Sequence, residues 1–530
     1  MANNAHLALL LQGGAAWNAW RETHPSVQPD LDFADLSDLD LSQVNLSGAH
    51  LSGARLTSVN LAAANLRRVH AEGIQLTQVN LSDALLSDAN LCYADFTDTD
   101  VSRATLTNTL LKGGTFRHVT MRDTNLVGAD LTVAHFYEAD LSGAYCSDTL
   151  LDRTNLRQAT LTRVNFDRAV LSDLDLSQAD LSGAHLSGAR LTSVNLAGAN
   201  LRGVLANGIQ LTQVNLSDAL LSDANLRYSD FTDTDFSRAT LTNTLLMDGT
   251  FRRVTMRETN LTGADLTLAD FYEADLSGAN CSAALLDETN VRQALLYRVN
   301  FTSAFLAQAD MTDATMAWTN LTNVDLRLVV GLETVQHHGP SSLGLDTIYR
   351  SRGMIPEAFL HGIGTPAGLL EVIRAVASDA GQERSCLLVS ARADRLFAEQ
   401  LQRDLQENGV ACWLAPDEWG ANDENRQHLD PCVHFYDKLL LILSQQSVKS
   451  EWVKPEIDKA RLREGYEGGT YPTVLFPICL DRAFVASIPW WPRQKHDRET
   501  PRLVDFEHWQ NPDEYQRVLN QLLHDLTTSS

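Results

Sequence analysis

Residues 31–66 read LDFADLSDLDLSQVNLSGAHLSGARLTSVNLAAANL, and every fifth residue of this stretch is leucine. The register continues without a slip to Leu326, and nearly all of its 60 centres are large apolar residues. A small or β-branched residue usually stands two positions before each centre, and aspartate or asparagine often stands directly before it. An amphipathic helix repeats every 3.6 residues and a half-buried strand every 2, so neither explains this spacing. A constant period of five predicts a solenoid in which two of every five side chains point inward.

The repeat resembles the pentapeptide-repeat family, whose pattern is A-(D/N)-L-x-x. This resemblance implies a right-handed quadrilateral β-helix over residues 31–326, with one pentad on each side and four in each coil. Two triplets of phenylalanine are spaced by 20 residues: Phe96, Phe116 and Phe136, and Phe231, Phe251 and Phe271. These intervals support a 20-residue coil independently of the resemblance. We expect each triplet to stack as a ladder of rings inside the β-helix.

A longer duplication is superimposed on the pentads. Leu46–Ala62, LSGAHLSGARLTSVNLA, recurs as Leu181–Ala197, and a second stretch recurs at the same offset of 135 residues. An offset of 27 pentads is six coils and three sides. The two copies are therefore predicted to face different sides, so that His50 and His185 point about a right angle apart.

Length and composition bound the possible functions. The 530 residues can form two or three domains with separate cores, and the formal net charge is −25. An acidic chain disfavours direct nucleic-acid binding, and a polar outer surface is also what solubility requires of a solenoid. The seven scattered cysteines fit neither disulfide nor metal spacing, which is typical of a reducing cytosol. With no apolar run of membrane length and no signal-peptide start, the sequence predicts a cytoplasmic protein without a membrane partner.

Segments outside the repeat are predicted to close its two ends. Residues 1–30 include His6–Thr23, HLALLLQGGAAWNAWRET, whose apolar residues have helical spacing, so we expect a capping helix over the first coil. Residues 327–380 are predicted to form a connector with short helices at Ile355–Ile363 and Ala367–Ser378. The connector also contains a histidine pair without a spaced third ligand, so no metal site is predicted.

From residue 381 to residue 530, apolar strands alternate with helices. The predicted strands are Cys386–Ser390, Val410–Leu414, Lys438–Ser444, Thr473–Leu480 and Leu503–Phe506. The predicted helices are Arg392–Asn408, Glu451–Glu464 and Asp513–Leu526. This alternation predicts an α/β domain with a doubly wound parallel sheet, whose ligand binds beyond the carboxyl ends of the strands. No glycine-rich nucleotide fingerprint follows the first strand.

Three stretches of this domain carry a further resemblance. Ser390 ends the first strand, Asp394 and Phe397 lie on the next helix, and CWLAPDEWG spans the second strand and the loop after it. KLLLILSQQSVKSEWVKPEI spans the third strand and the helix that follows, with Trp452 and Glu456 as a W-x-x-x-E pair. Together they resemble the bacterial branch of the Toll/interleukin-1 receptor (TIR) family over about residues 385–527. The resemblance implies a flavodoxin-like fold and cleavage of NAD⁺ between nicotinamide and ribose, without a metal or other cofactor.

The chemistry of that reaction indicates the residue types that the site needs. Breaking the nicotinamide bond develops positive charge on the ribose, and a carboxylate near the anomeric carbon can stabilise that charge or attack it. Glu456 is the candidate catalytic residue, and the structural alternative is a solvated helix glutamate. Trp452 is expected to stack on the base or ribose, or else to pack in the core. The other candidates for substrate binding follow the first and second strands: Ser390, Ala391, Arg392, Asp417 and Trp419. Among them, the arginine would hold the phosphates or simply lie on the surface.

Two positions depart from the family pattern. Ala391 stands where the family often has an aromatic residue, and the smaller side chain would widen the pocket or remove a stacking partner. Pro455 directly precedes Glu456, and proline is tolerated only in the first turn of a helix. If Pro455 begins the helix, Glu456 lies at the positive end of the helix dipole, which keeps its carboxylate ionised. Trp452 would then lie before the helix.

Three functions remain open from the sequence. The first is a cytosolic bacterial NAD⁺ hydrolase whose β-helix positions TIR domains for self-association, so that NAD⁺ and further copies of the chain are its partners. The second is an adaptor without activity that binds partners through the loop at residues 415–425. The third is an acidic rod that mimics DNA, as some pentapeptide-repeat proteins do, although this leaves the last 145 residues unexplained. NAD⁺ turnover distinguishes the first function from the second.

Overall fold

The computed structural model describes residues 2–379, 385–415, 438–445, 447, 475–481 and 503–528. The chain divides into two compact units, Met1–Glu371 and Val372–Ser530. The first contains the five-residue repeat, and the second contains a parallel sheet. Within the described part of the chain, no helix is long and apolar enough to cross a bilayer.

The repeat forms a β-helix with 20 residues in each coil. Asp30, Asp35, Asp40 and Asn45 begin four parallel ladders, in each of which a residue pairs with the residue 20 positions later. This register confirms four pentads per coil. Where the pairing extends beyond one residue, the sides become short strands: β1 Val170–Ser172, β2 Arg190–Thr192, β3 Gln210–Thr212, β4 Leu295–Tyr297, β5 Thr315–Ala317, β6 Asn320–Leu321, β7 Gln336–His337 and β8 Ser342–Leu343.

Leucine and phenylalanine centres fill the interior of the β-helix. The rings of Phe96, Phe116 and Phe136 stack with centroids 4.8 and 4.5 Å apart, and the second triplet stacks at 4.7 and 4.6 Å. These separations match the spacing of neighbouring strands, and they confirm the predicted ladders. Several inward threonines donate their hydroxyls to the backbone, as Thr109 does to the Leu86 carbonyl at 3.0 Å.

The residue two positions after each inward centre turns the corner in a left-handed backbone conformation. Asn108 and Asp218 have φ angles of 55° and 59°, and short polar residues tolerate this region better than most. At Gly53 the missing side chain is also a packing requirement. A Cβ there would lie 2.6 Å from the ring of Phe33, one coil earlier.

The 135-residue duplication places its copies on different sides of the β-helix, as predicted. His50 pairs with His70 in one ladder, whereas His185 pairs with Leu205 in the adjacent ladder. Residues 166–300 are identical to residues 31–165 at 109 of 135 positions. Nearly the same outward surface is therefore presented twice, a quarter turn apart.

Two helices close the first coil: α1 Asn4–Leu10 and α2 Gly14–Thr23. The sequence predicted one helix here, but the chain breaks at Gly13, whose φ of 104° no helix accommodates. Side chains of α2 replace a preceding coil, because Trp17 Nε1 donates to the Asn45 carbonyl and Asn18 Oδ1 accepts from the Asn45 amide, both at 2.8 Å. These bonds satisfy the backbone groups of Asn45 at the open edge of the first coil.

The last coil is followed by three helices: α3 Leu345–Arg350, α4 Glu357–Gly362 and α5 Ala367–Asp379. The first of these closes the coil. Thr347 Oγ1 accepts from the Val324 amide at 3.2 Å and donates to the Leu321 carbonyl. Ser351 Oγ accepts from the Leu326 amide at 3.0 Å. Side-chain hydroxyls thus satisfy the backbone groups that a further coil would otherwise pair.

Asp287 supplies a hydrogen-bond acceptor that one pentad of the repeat lacks. The aspartate or asparagine before a centre commonly accepts from the amide two residues later, but Phe305 occupies this position in its pentad. The Asp287 carboxylate, from the preceding coil, accepts from the Ala307 amide at 2.8 Å instead. Burial raises the pKa of Asp287 to about 6, and the charges of Glu288 and Asp265 add to that rise while the amide bond opposes it.

Five parallel strands form the sheet of the second unit: β9 Ser385–Val389, β10 Ala411–Leu414, β11 Lys438–Leu443, β12 Leu475–Cys479 and β13 Val504–Asp505. Their spatial order is β10-β9-β11-β12-β13. The described helices that follow strands of this sheet are α6 Arg395–Glu407 and α7 Pro512–Thr528. All five predicted strands are confirmed within two residues at each end. The predicted helix Glu451–Glu464 lies outside the described residues.

The sheet packs against α6 and α7 through one apolar core. Leu401 and Leu405 of α6 and Leu519 and Leu522 of α7 are fully buried with the apolar strand residues. Burying a side chain of this size contributes roughly 1.5–3 kcal/mol. This core fixes α6 on the sheet, and it therefore also fixes the residues at the start of α6, which lie beyond β9.

We expect Thr347→Val to destabilise the β-helix at its C-terminal end. Valine keeps the shape but leaves the Val324 amide and the Leu321 carbonyl without their partner, at a cost of about 1–3 kcal/mol for each buried group. Thermal unfolding of the full chain measures the loss. Thr347→Ser, which keeps the hydroxyl, is the matched control, and equal stability of the valine variant and the wild type would contradict the capping role.

We expect Asp287→Asn to stabilise the protein at pH 8 by roughly 1–3 kcal/mol, because the amide oxygen still accepts from Ala307 without a buried charge. The folded pKa of about 6 lies above the ordinary value of 3.8, so the wild type regains stability as the pH falls through 6. The advantage of the variant should disappear near pH 4. Calorimetry at pH 8, 6 and 4 checks this, with Asp287→Ala as the control that is less stable than Asp287→Asn throughout. A pH-independent difference would contradict the prediction.

Candidate functional site

The carboxyl ends of the parallel strands meet at one edge of the sheet. β9 has β10 on one side and β11 on the other, and β12 and β13 continue beyond β11. The chain therefore winds in opposite directions from β9. In a sheet of this order, ligands bind in the crevice beyond the two strands at which the direction reverses, here β9 and β11. The residues that follow β9, β10 and β11 are the candidates to line it.

Three of the sequence-predicted substrate-binding residues follow β9 at this edge. Ser390 has a buried Oγ without a hydrogen-bond partner among the described residues. Ala391 is half-buried with extended backbone, and Arg392 is exposed. An unpaired buried hydroxyl costs roughly 1–3 kcal/mol. Such a group at a ligand-binding edge is suited to a ligand that supplies the missing partner.

Asp394 connects the two sides of the crevice. Its Oδ2 accepts a hydrogen bond from Ser444 Oγ at 2.6 Å, although the two residues are 50 positions apart. Burial raises the pKa of Asp394, and the bond from Ser444 opposes that rise. Ser444 follows β11, so this bond joins the start of α6 to the carboxyl end of the neighbouring strand.

The turn after β11 is fixed by two serines. The Ser444 amide donates to Ser447 Oγ at 2.8 Å, and the Ser447 amide donates to Ser444 Oγ at 3.2 Å. Ser444 and Ser447 are both buried. The Ser444 hydroxyl therefore accepts from its own turn while it donates to Asp394, which gives it a defined orientation.

Arg395, the first residue of α6, contacts the segment that follows β10, on the other side of β9. Arg395 Nη1 donates to the Ala415 carbonyl at 2.9 Å, directly after β10, and Arg395 Nε pairs with Glu399 at 3.0 Å. Asp394 and Arg395 thus hold the carboxyl ends of β11 and β10 from one helix start. These two bonds hold the residues that follow β10 and β11 in place relative to the start of α6.

Four predicted site residues lie outside the described residues: Glu456, Trp452, Asp417 and Trp419. Their roles stay predictions. Asp394, Ser444 and Ser447, in turn, had no role predicted from the sequence. The sequence did contain a signal for these residues. A serine follows each of the two central strands, and Asp394 stands four residues after the first of these serines.

Among all the described residues, no group of three or more histidine, cysteine, aspartate or glutamate side chains is arranged to hold a metal ion. One cavity lies away from this edge. A cavity of about 460 Å³ lies beside β13 and α7, with Phe506, Trp509 and Tyr515 among its lining residues. It contains none of the predicted site residues.

Comparison with known proteins agrees with both units. The family model for pentapeptide repeats matches in successive copies between residues 34 and 327, more than half of the chain, and the model for the TIR domain matches residues 388–523. No curated protein matches the chain.

Several solved structures similar to the chain are pentapeptide-repeat proteins. HetL, involved in heterocyst differentiation regulation in the cyanobacterium Nostoc sp. strain PCC 7120, is 25% identical, with 51% of this chain and 94% of HetL covered and a TM-score of 0.18. A thylakoid-lumen pentapeptide repeat protein of Arabidopsis thaliana is 28% identical, with 21% and 66% covered and a TM-score of 0.13. The family assignment therefore rests on the two family models and not on these structural similarities. The chain belongs to the pentapeptide-repeat family and carries a C-terminal TIR domain, the combination of a TIR signalling protein.

Proposed function

We propose that the protein hydrolyses NAD⁺ between nicotinamide and ribose. The observation that carries the proposal is the buried hydroxyl of Ser390, which follows β9 at the crevice between β9 and β11 and has no partner in the described part of a domain matched by the TIR model. A site built to hydrogen-bond a substrate hydroxyl leaves such a group unpaired when the substrate is absent. NAD⁺ offers ribose hydroxyls and phosphate oxygens for this purpose.

The residues after β9 suit the different parts of a dinucleotide. Arg392 is exposed and carries a permanent positive charge with several donors, which suits a diphosphate. Ala391 presents only a methyl group beside Ser390 and leaves room for a ring or a ribose. Apolar surface with a few placed polar groups is the usual composition of a small-molecule site.

The chemical step in this proposal belongs to Glu456. As the bond to nicotinamide breaks, its electron pair leaves with the ring, which becomes neutral nicotinamide and needs no proton. Positive charge develops on the ribose, and the Glu456 carboxylate stabilises it or bonds to the anomeric carbon. Water then supplies the hydroxyl of ADP-ribose and releases one proton. Trp452 is proposed to stack on the substrate beside this carboxylate.

The β-helix is proposed to act as a scaffold that brings TIR domains together. Its surface is duplicated, so one chain offers two nearly equal patches a quarter turn apart. Asp417 and Trp419, in the loop after β10, are proposed to complete the site or the contact between domains. The loop residues are polar around one tryptophan, and tryptophan is enriched among the residues that anchor interfaces.

Nicotinamide release by the purified full-length chain, measured at several protein concentrations, tests the function. We expect release that depends on NAD⁺ and on protein concentration. An absence of release at every concentration would overturn the hydrolase and favour a TIR adaptor without activity.

We expect Glu456→Gln to abolish turnover while the protein stays folded. The substitution keeps size and removes charge, and losing one preorganised stabilising group typically costs about 10²–10³ in rate. Nicotinamide release measures the loss, and the thermal unfolding curve checks the fold. Glu451→Gln is the matched control, five residues earlier in the same segment. Near-native turnover of Glu456→Gln, or a dead Glu451→Gln variant, would refute the assignment.

We expect Trp419→Ala to weaken the dependence of activity on concentration. If the tryptophan anchors contact between TIR domains, wild-type turnover per molecule rises with concentration and the variant shows a flatter curve. Trp413→Ala provides a comparison, because Trp413 lies on β10 with 49% of its surface exposed and outside the loop. A rate per molecule that stays constant, from a wild-type protein that remains monomeric, would count against self-association.

A further inference from the structure

We propose that Asp394 is a positioning residue for the proposed reaction, and that its bond to Ser444 sets the width of the substrate crevice between β9 and β11. The inference rests on the proposed hydrolase function. It concerns residues that touch the crevice walls rather than the reacting atoms, so Asp394 is not assigned a catalytic role.

The unusual use of the Asp394 side chain is the first argument. Asp394 is the last residue of a 3₁₀ turn, Arg392–Asp394, that continues directly into α6. Aspartate near a helix start commonly accepts from the first amides of the helix. Here the side chain makes no capping bond, and its Oδ2 accepts from Ser444, 50 residues away.

The location of the bond is the second argument. β9 and β11 are neighbours in the sheet, paired from Lys438 with Cys386 to Leu441 with Val389. Past this pairing, the Asp394–Ser444 bond connects the residues that follow the two strands. A bond there sets how far apart the walls stand, four residues after Ser390, whose buried hydroxyl has no partner among the described residues.

The rigidity of both partners is the third argument. Asp394 is carried by α6, whose apolar face is buried in the core through residues such as Phe397 and Leu401. Ser444 is held by its reciprocal bonds with Ser447. A hydrogen bond between two rigidly held residues fixes the distance between the segments that carry them. A displacement of about 1 Å in a reactive site can cost on the order of 10²-fold in rate.

The test measures NAD⁺ turnover of full-length variants at a temperature where all remain folded. We expect Asp394→Ala and Ser444→Ala each to lower kcat/KM by about 10- to 100-fold, and the double variant to lose no more than either alone. Asp394→Asn, whose amide oxygen still accepts from Ser444, is expected to stay within about threefold of the wild type. This rescue and the non-additivity are not expected from a general loss of stability.

Tyr515→Phe is the matched control. It breaks a hydrogen bond of the same kind, from the Tyr515 hydroxyl to the Asp404 carboxylate, which joins α7 to α6 without involving the residues after β9 and β11. The control should leave kcat/KM unchanged while it lowers the unfolding temperature. An active wild type with an equally active Asp394→Ala variant overturns the positioning role alone, as does a Tyr515→Phe variant that loses as much activity or an Asp394→Asn variant as defective as alanine. A wild type without turnover overturns the hydrolase and this inference together.

Discussion

Backbone hydrogen bonds between neighbouring coils, which pair each ladder residue with the one 20 positions later, hold the β-helix together, and the other features of the first unit adapt to that pairing. Each coil must present the same four sides at the same spacing, so inward positions carry side chains that stack at the distance between strands. The phenylalanine ladders meet this requirement, with rings 4.5 to 4.8 Å apart. The corners require left-handed backbone, which explains why most of the corner residues are polar or glycine.

Backbone amides and carbonyls at the two ends of such a ladder, and in pentads that depart from the pattern, find no hydrogen-bond partner in the ladder itself. At the first coil, Trp17 and Asn18 supply the donor and acceptor that a preceding strand would offer, and Thr347 does the same at the last coil. Within the ladder, Asp287 serves an amide that Phe305 cannot. In each case a side chain replaces a missing backbone or side-chain partner, because an unpaired buried amide or carbonyl costs more than the ordering of that side chain.

The second unit uses polar groups in a different way. Its edge beyond β9, β10 and β11 contains a buried hydroxyl without a partner among the described residues, and a carboxylate that accepts from the Ser444 hydroxyl rather than from its own helix. The unpartnered hydroxyl contributes no hydrogen bond to the stability of the domain alone. Local compromises of this type cluster at ligand-binding edges, where the residues are arranged for the bound state.

Spacing along the chain was enough to predict the period of five, the 20-residue coil and the different orientation of the two copies. The alternation of apolar strands with helices likewise predicted the five strands of the TIR domain. The folded chain was needed to show that the N-terminal cap is two helices, that Asp287 reaches across a coil, and that Asp394 joins Ser444. Periodicity records which residues face inward, whereas a bond between segments 50 residues apart depends on strand order and on where each side chain finds its partner.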